Sequence, residues 1–331
     1  MKSFRIRNFV KEYSILFVLL LLAAVFTIGN SKFLTFSNFI TIMRQSAIMG
    51  ICGIGIMFCM IAGGINLAVG SILSIVTVLV AVWTVNWGQN WVVGMILAVI
   101  VSGIIGAIQG FIIVKGRINP MIGSLAIQMI LSGTAYIICG GLPIFGIPQE
   151  SKVLGQGFIW KIPVPVVILV IVAAAAAFLF SKTYMGRKIF AAGSNDEAAR
   201  LAGINTTRVR IISYTICAIL CGIAGIIQYG RLGSGQPGAG SEIEMNVLAA
   251  VVIGGVSMAG GEGKVFKAFL GVFLINMLIN GMTLLNINDY VQRVVRGFIF
   301  LGAVLLDSYQ HNKGVVTVKS VETDKGDDSS V

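Results

Sequence analysis

Residues 186–204 read GRKIFAAGSNDEAARLAGI and form a charged insert in a chain that is otherwise apolar. Ser194 and Glu197 have the spacing of a capping box, so the sequence predicts a short helix that starts near Asn195. Gly203 suits a left-handed stop about two turns later. Because this short helix lies in a charged stretch between two apolar segments, we expect its role to lie outside the bilayer.

This predicted helix is amphipathic. Ala198, Leu201 and Ala202 fall on one face, three and four residues apart. Asp196 lies at the positive end of the helix dipole and Arg200 near its negative end. Because so short a helix is marginal alone in water, we expect it to dock against a partner. An ordinary polar loop is the alternative.

Composition sets the protein class. The chain has 331 residues, of which 56% are hydrophobic and 11% charged, whereas soluble domains carry about a quarter charged residues. The formal net charge is +11. Because the basic residues cluster between apolar segments, we attribute this charge to the orientation of the chain in the membrane rather than to nucleic-acid binding. The sequence therefore predicts an all-α polytopic membrane protein.

About ten apolar segments approach the ~20 residues that cross a bilayer. They are residues 13–29, 46–63, 66–85, 91–114, 121–139, 163–181, 209–229, 246–258, 265–285 and 292–307. Between the first two, residues 33–45 predict a surface helix capped by Ser37. The eighth segment is short, and only Gly64 and Ile65 separate the second from the third.

The basic residues predict the orientation. With both termini in the cytoplasm, the cytoplasmic segments hold most of the 24 Lys and Arg residues, as the positive-inside rule requires. We therefore expect a cytoplasmic N-terminus over 1–12, a transmembrane domain over 13–308 with a cytoplasmic loop at 182–208, and a disordered cytoplasmic tail over 309–331.

Residues 63–71, GGINLAVGS, join two spans with almost no loop. Gly64 can take a positive φ, and Asn66 can cap the next helix. The segment is either a tight cytoplasmic turn or a broken helix beside a solute pathway, because irregular backbone in a membrane must be buried or line a water-filled cavity.

Polar residues in or near the spans suit a neutral, hydroxyl-rich solute, although single amides more often link helices. The candidate pathway residues are Gly64, Asn66, Ser71, Gln128, Asn276 and Asn280. Residues 230–246 are rich in glycine and are expected outside, either as a solvated loop or as a contact for an extracellular partner. The candidate residues for that contact are Arg231, Glu242 and Glu244.

Catalytic chemistry is sparse in this sequence. It has no P-loop, since residues 260–264, GGEGK, lack the required spacing and read as a tight turn. The lone histidine, His311, follows the last span, and span centres carry essentially no carboxylates to couple transport to an ion gradient. The energy source is expected to be another subunit. The alternatives are a stand-alone secondary carrier or channel for a small polar solute, and a membrane enzyme.

Several sequence blocks together resemble the membrane permease subunits of bacterial ATP-binding cassette importers for simple sugars, of the ribose, xylose and galactose type. Branched-chain amino-acid permeases are more distant relatives. The family commonly has aspartate where this chain has Asn66. The blocks are residues 33–51, 61–73, 116–126, 186–204, 238–263 and 303–307.

The resemblance implies a ten-span fold like that of the vitamin B12 importer permease, in a bacterial plasma (inner) membrane. It implies a second permease subunit, identical or related, a cytoplasmic ATPase that binds ATP and Mg, and an extracytoplasmic sugar-binding protein. This chain itself is expected to hold no cofactor and to be no enzyme. The implied coupling-helix residues are Asn195, Asp196, Glu197, Ala198, Arg200, Leu201 and Gly203.

Overall fold

The computed structural model describes residues 2–305 and 307, with side chains described from residue 15. The tail over 309–331, including His311, lies outside the described residues. The helices are α1 (Lys2–Gly29), α2 (Phe36–Ile61), α3 (Val69–Ala81), α4 (Trp91–Lys115), α5 (Pro120–Ile138), α6 (Val153–Gln156), α7 (Val164–Lys182), α8 (Tyr184–Ser194), α9 (Asp196–Leu201), α10 (Thr206–Leu232), α11 (Ile243–Ile253), α12 (Val265–Leu284) and α13 (289–305). A π-helical turn, Val82–Asn86, extends α3. Strands β1 (Phe158–Ile159) and β2 (Ile162–Pro163) form a small antiparallel hairpin.

The helices confirm an all-α polytopic membrane protein. Among the described residues, seven helices are long and apolar enough to cross a membrane: α2, α3 with its π turn, α4, α5, α7, α10 and α12. Two shorter apolar helices, Ile15–Gly29 within α1 and Ile243–Ile253, accompany them.

Helices α2 and α10 form the centre of the bundle, and α10 packs against α2, α3 and α4. Small residues allow the close approach of α4 to α10. A Cβ atom on Gly106 would meet Ala218 and the Tyr214 carbonyl, and Gly222 faces Ser102. Small residues are typical of helix contacts in lipid, where apolar burial alone drives no association.

The helix predicted over 33–45 is present from Phe36 onward, but it is the first part of α2 rather than a separate surface helix. A 3₁₀ turn at Ser31–Leu34 leads into one continuous helix, α2, and the capping residue is Thr35 rather than Ser37. The Thr35 hydroxyl accepts a hydrogen bond from the Asn38 amide at 3.4 Å. Since no breaking residue follows Thr35, the apolar helix extends through the predicted boundary.

The charged insert contains two helices rather than one. Ser194 is the last residue of α8, and its hydroxyl donates to the Phe190 carbonyl. It therefore does not cap α9, although the capping-box spacing predicts that it does. Asn195 is the N-cap of α9, and its Oδ1 accepts from the Ala198 amide at 3.0 Å. Gly203 has φ +79°, which confirms the predicted left-handed stop.

Three connections meet at one end of the bundle, which we call the basic end: the break after α2, the insert over 182–208 and the turn over 254–264. The Gly261 amide donates to the Ile61 carbonyl at 3.0 Å, and Gly193 packs directly against that carbonyl. Gly260 and Gly261 have φ +94° and +73°, which confirms the predicted tight turn.

Candidate functional site

The chain breaks its helical path after α2 and resumes it at α3, through residues 62–68. Gly63, not Gly64 as expected, has the positive φ, at +80°. Gly64 allows a close approach instead, since a Cβ there would lie 3.0 Å from the Tyr214 hydroxyl. That hydroxyl donates to the Ile65 carbonyl at 3.0 Å. Most of the segment is buried, and α10 satisfies two of its carbonyls, that of Ile65 through Tyr214 and that of Ala62 through Arg210.

Asn66 is fully buried at the centre of this break. Its Oδ1 accepts from the Ala68 amide at 2.9 Å and from Gln109 Nε2 at 2.7 Å, and its Nδ2 donates to Cys217 Sγ at 3.5 Å. Asn66 therefore turns the backbone towards α3 and links it to α4 and α10. An amide suits this arrangement better than the aspartate that the resemblance leads one to expect, because an amide can also donate to the thiol.

A second break, residues 233–242, runs from α10 to α11 along α3. Thr77 Oγ1 accepts from the Gln236 amide at 3.2 Å, and Ser74 Oγ accepts from the Gly240 amide at 2.8 Å. Gly70 and Gly240 cross in direct backbone contact. Of the two alternatives for 230–246, the solvated loop is wrong, because much of this segment is buried against α3.

Helix α11 begins deep inside the bundle. Its Val247 and Val251 face Gly53 of α2, which lies about 12 Å from the end of α2 at Ile61. Glu244 is a further turn away from the basic end, and the total distance is about half of the ~30 Å thickness of a hydrocarbon layer. The predicted span over 246–258 is thus a half-length helix over Ile243–Ile253.

Glu244 is only 7% exposed. Its Oε1 accepts from Gln128 Nε2 of α5 at 2.8 Å, and its Oε2 lies against Gly70. Glu244 is a carboxylate buried among the helices, which the sequence did not lead us to expect, and it is not placed as a surface contact. The glycine-rich sequence before it concealed that the chain re-enters the bundle.

Glu242 fixes the start of α11 from the other side. Its φ is +66°, a region that non-glycine residues rarely adopt. Its carboxylate pairs with Arg293 at 2.7 Å and Arg296 at 3.4 Å, both on α13, and Arg296 also donates to Asn246 Oδ1 at 3.3 Å. Arg231 lies elsewhere, at the far end of α10, where its carbonyl accepts from the Gln156 side chain.

The remaining candidate pathway residues do not join Glu244. Ser71 Oγ donates to the Ala68 carbonyl at 2.9 Å, and Asn276 Nδ2 donates to the Val272 carbonyl at 2.9 Å. Asn280 and Asn38 exchange two amide hydrogen bonds, each 2.9 Å long, between α12 and α2. Of the six candidates, only Gln128 hydrogen-bonds to Glu244.

Helix α9 presents an apolar side chain on the surface of the basic end. Leu201 is 86% exposed, whereas Ala199 on the opposite face is buried. Ala198 and Ala202 are also exposed and widen the face around Leu201. Leu201, Ala198 and Ala202 together form an exposed apolar face on this short, capped helix.

Side-chain contacts of Arg210 link helix α9 to the first break, residues 62–68. Asp196 pairs with Arg210 of α10 at 3.1 Å, and with Arg200 at 2.9 Å. Arg210 Nε also donates to the Ala62 carbonyl at 3.1 Å. Arg210 thus contacts both α9 and Ala62, the residue that begins the break.

Comparison with known proteins decides the family. The model of the branched-chain amino acid transport system / permease component family matches residues 38–304. The chain belongs to this permease family. Residues 186–204 and 238–263, quoted above for the resemblance, both lie within the match.

Curated relatives of this permease cover nearly all of it. The ribose import permease protein RbsC of Bacillus subtilis is 38% identical over 291 residues, 87% of this chain and 90% of the relative. The protein of the same name in Escherichia coli K12 is 35% identical over 301 residues, 90% and 94% of the two chains. The E. coli K12 L-arabinose transport system permease protein AraH is 36% identical over 309 residues, 93% and 94% of the two chains. No solved structure matches the permease.

Proposed function

We propose that this protein is the membrane-spanning subunit of an importer that is powered by separate ATP-binding cassette subunits and carries a monosaccharide, ribose or a similar pentose. The observation that carries the proposal is the extent of the match to ribose and arabinose permeases, which leaves no large part of either chain uncovered. A stand-alone carrier lacks such support.

We further propose ten crossings in the bacterial inner membrane, with both termini in the cytoplasm and the arrangement of the vitamin B12 importer permease. The seven long helices, the apolar part of α1, the half-length α11 and α13 supply the ten. The positive-inside rule supports a cytoplasmic basic end, since the insert over 182–208 and the turns over 115–119 and 254–267 are rich in Lys and Arg.

Helix α9 is then the coupling helix, and Leu201 is the side chain that enters a groove of the ATPase, which binds ATP and Mg. Its six residues are too few to form a stable helix by themselves, so the N-cap Asn195 and the Asp196–Arg210 ion pair hold it in place. The contact of Arg210 with Ala62 supplies a route from ATPase movement to the first break.

The solute pathway is proposed to run along the face formed by α5, α11 and α13, between this subunit and a second permease subunit. Gly238 and Ser241 expose irregular backbone there, and Arg293 and Glu242 expose charge. Irregular backbone and charges at this depth are tolerated only against protein or water, not lipid. At the end of the pathway opposite the basic end, an extracytoplasmic binding protein delivers the sugar.

Purification from the native membrane tests this proposal. The tagged permease, extracted in mild detergent, should co-purify with a subunit that hydrolyses ATP, and with a second permease copy or relative. A permease that is pure, partnerless and without ATP hydrolysis after cross-linking in the intact membrane would contradict the proposal and favour a stand-alone carrier.

A further inference from the structure

Two buried side-chain oxygen atoms, one on α5 and one in the first turn of α11, have no hydrogen-bond partner among the residues that the structure describes. They are Glu244 Oε2 and Gln128 Oε1, and they belong to side chains that already share one hydrogen bond of 2.8 Å. An acceptor buried without a donor is costly, and a carboxylate is the costliest case. Ionisable residues in the middle of a membrane protein mark functional sites.

We propose that Glu244 and Gln128 bind the hydroxyl groups of the transported sugar half-way across the membrane. Both free atoms are acceptors, and a sugar offers several neighbouring O–H donors. A hydrogen bond from a hydroxyl to a carboxylate is charge-assisted and about twice as strong as a neutral one. This inference rests on the proposed function and names the site at which the permease recognises its substrate.

A metal ion is a poorer match for these two atoms. Among the residues that the structure describes, no group of three or more His, Cys, Asp or Glu side chains comes together, and Gln128 is the side chain that hydrogen-bonds to Glu244. A ligand that supplies several hydroxyl donors fits a pair of acceptors with one negative charge.

The position of the pair supports a role in transport. Glu244 Oε2 lies against Gly70 in the first turn of α3, where the second break crosses that helix, so a relative movement of α3 and the second break would uncover or cover the carboxylate. The neighbouring Ser241, Met245 and Tyr136 are exposed on the proposed pathway face. An aromatic side chain beside polar groups provides the mixed surface that a sugar ring requires.

Uptake by the intact importer in membrane vesicles, energised with ATP, tests the inference. The probes are labelled D-ribose and L-arabinose, their singly deoxygenated analogues and labelled leucine. The variants are Glu244→Gln, which keeps the shape and removes the charge, and Gln128→Leu. Glu262→Gln makes the same chemical change in the turn at the basic end. Co-purification of the ATPase reports assembly for each variant.

We expect Glu244→Gln to assemble normally and to lower sugar uptake at least tenfold, with a smaller loss for Gln128→Leu and none for Glu262→Gln. One deoxygenated analogue, lacking the hydroxyl that Glu244 binds, should be carried poorly by the wild type and no worse by Glu244→Gln. If the uptake of this analogue alone is not lowered further by Glu244→Gln, the substitution removes a contact with the sugar rather than a structural interaction.

Two results would overturn the inference while leaving the proposed function intact. One is wild-type sugar uptake by both variants. The other is an equal loss for the parent sugars and every deoxygenated analogue. If Glu244→Gln fails to assemble, the uptake of the parent sugars and of each deoxygenated analogue by Gln128→Leu tests the inference instead. ATP-driven uptake of leucine but of no sugar by the wild type would contradict the proposed function and the inference together.

Discussion

Replacement of Leu201 should release the ATPase without unfolding the permease. The side chain is 86% exposed in the isolated subunit, so nearly all of its surface remains to be buried on docking. Full burial of a leucine contributes about 1.5–3 kcal/mol, and about 2 kcal/mol corresponds to about a 30-fold change in affinity. Leu201→Ala should therefore weaken ATPase binding about 30-fold.

Leu201→Glu should remove detectable binding, because it also places a carboxylate in an apolar groove. Glutamate and leucine have similar helix propensities, and the Asn195 cap is untouched, so α9 should persist. The assay is titration of the purified ATPase onto detergent-solubilised permease, with Leu201→Met as the matched control and thermal unfolding as the check on folding. Wild-type affinity for Leu201→Glu in a folded permease would refute the docking role of α9.

Three further changes test how the site is built. Gly240→Ala would set a methyl group against the Gly70 carbonyl and should lower the free energy of unfolding by about 1–3 kcal/mol. The control Gly133→Ala meets open space and should not destabilise the permease, so equal melting temperatures for the two variants would argue against the close crossing of Gly70 and Gly240. Asn280→Leu should cost about 1 kcal/mol by leaving Asn38 without its partner and should leave sugar selectivity unchanged, so a shift in selectivity would return Asn280 to the pathway. Arg210→Gln leaves the Asn195 cap and the Asp196–Arg200 pair of α9, so it should keep the ATPase bound but lower the ratio of sugar uptake to ATP hydrolysis severalfold. An unchanged ratio would remove Arg210 from the coupling route.

The sequence predicted the class of protein and the positions of most helices, because long apolar runs and clustered basic residues are strong signals. Its errors lie where tertiary contacts override local pattern. Ser194 and Asn195 are both good caps, and only the preceding helix α8 assigns the cap to Asn195. Gly63 and Gly64 both tolerate a positive φ, and in the structure Gly63 adopts it while Gly64 packs closely against Tyr214.

The site itself was only half predictable. Gln128 was visible as an amide within an apolar run, but its partner Glu244 read as part of an external loop. Glycine-rich residues 233–242 are polar enough to suggest solvent, and nothing local indicates that they pack along α3. Serine and threonine at positions 74 and 77, one turn apart on α3, were the available signal, because together they can satisfy a backbone that has no regular structure.

The energy source of transport tests the central claim most directly. Sealed vesicles that contain the permease at native level are loaded with ATP or with a non-hydrolysable analogue, and labelled ribose uptake is measured with and without ionophores that collapse proton and sodium gradients. We predict uptake that requires hydrolysable ATP, survives the ionophores and disappears with Leu201→Glu. Uptake that continues without ATP, stops with the ionophores and tolerates Leu201→Glu would contradict the account.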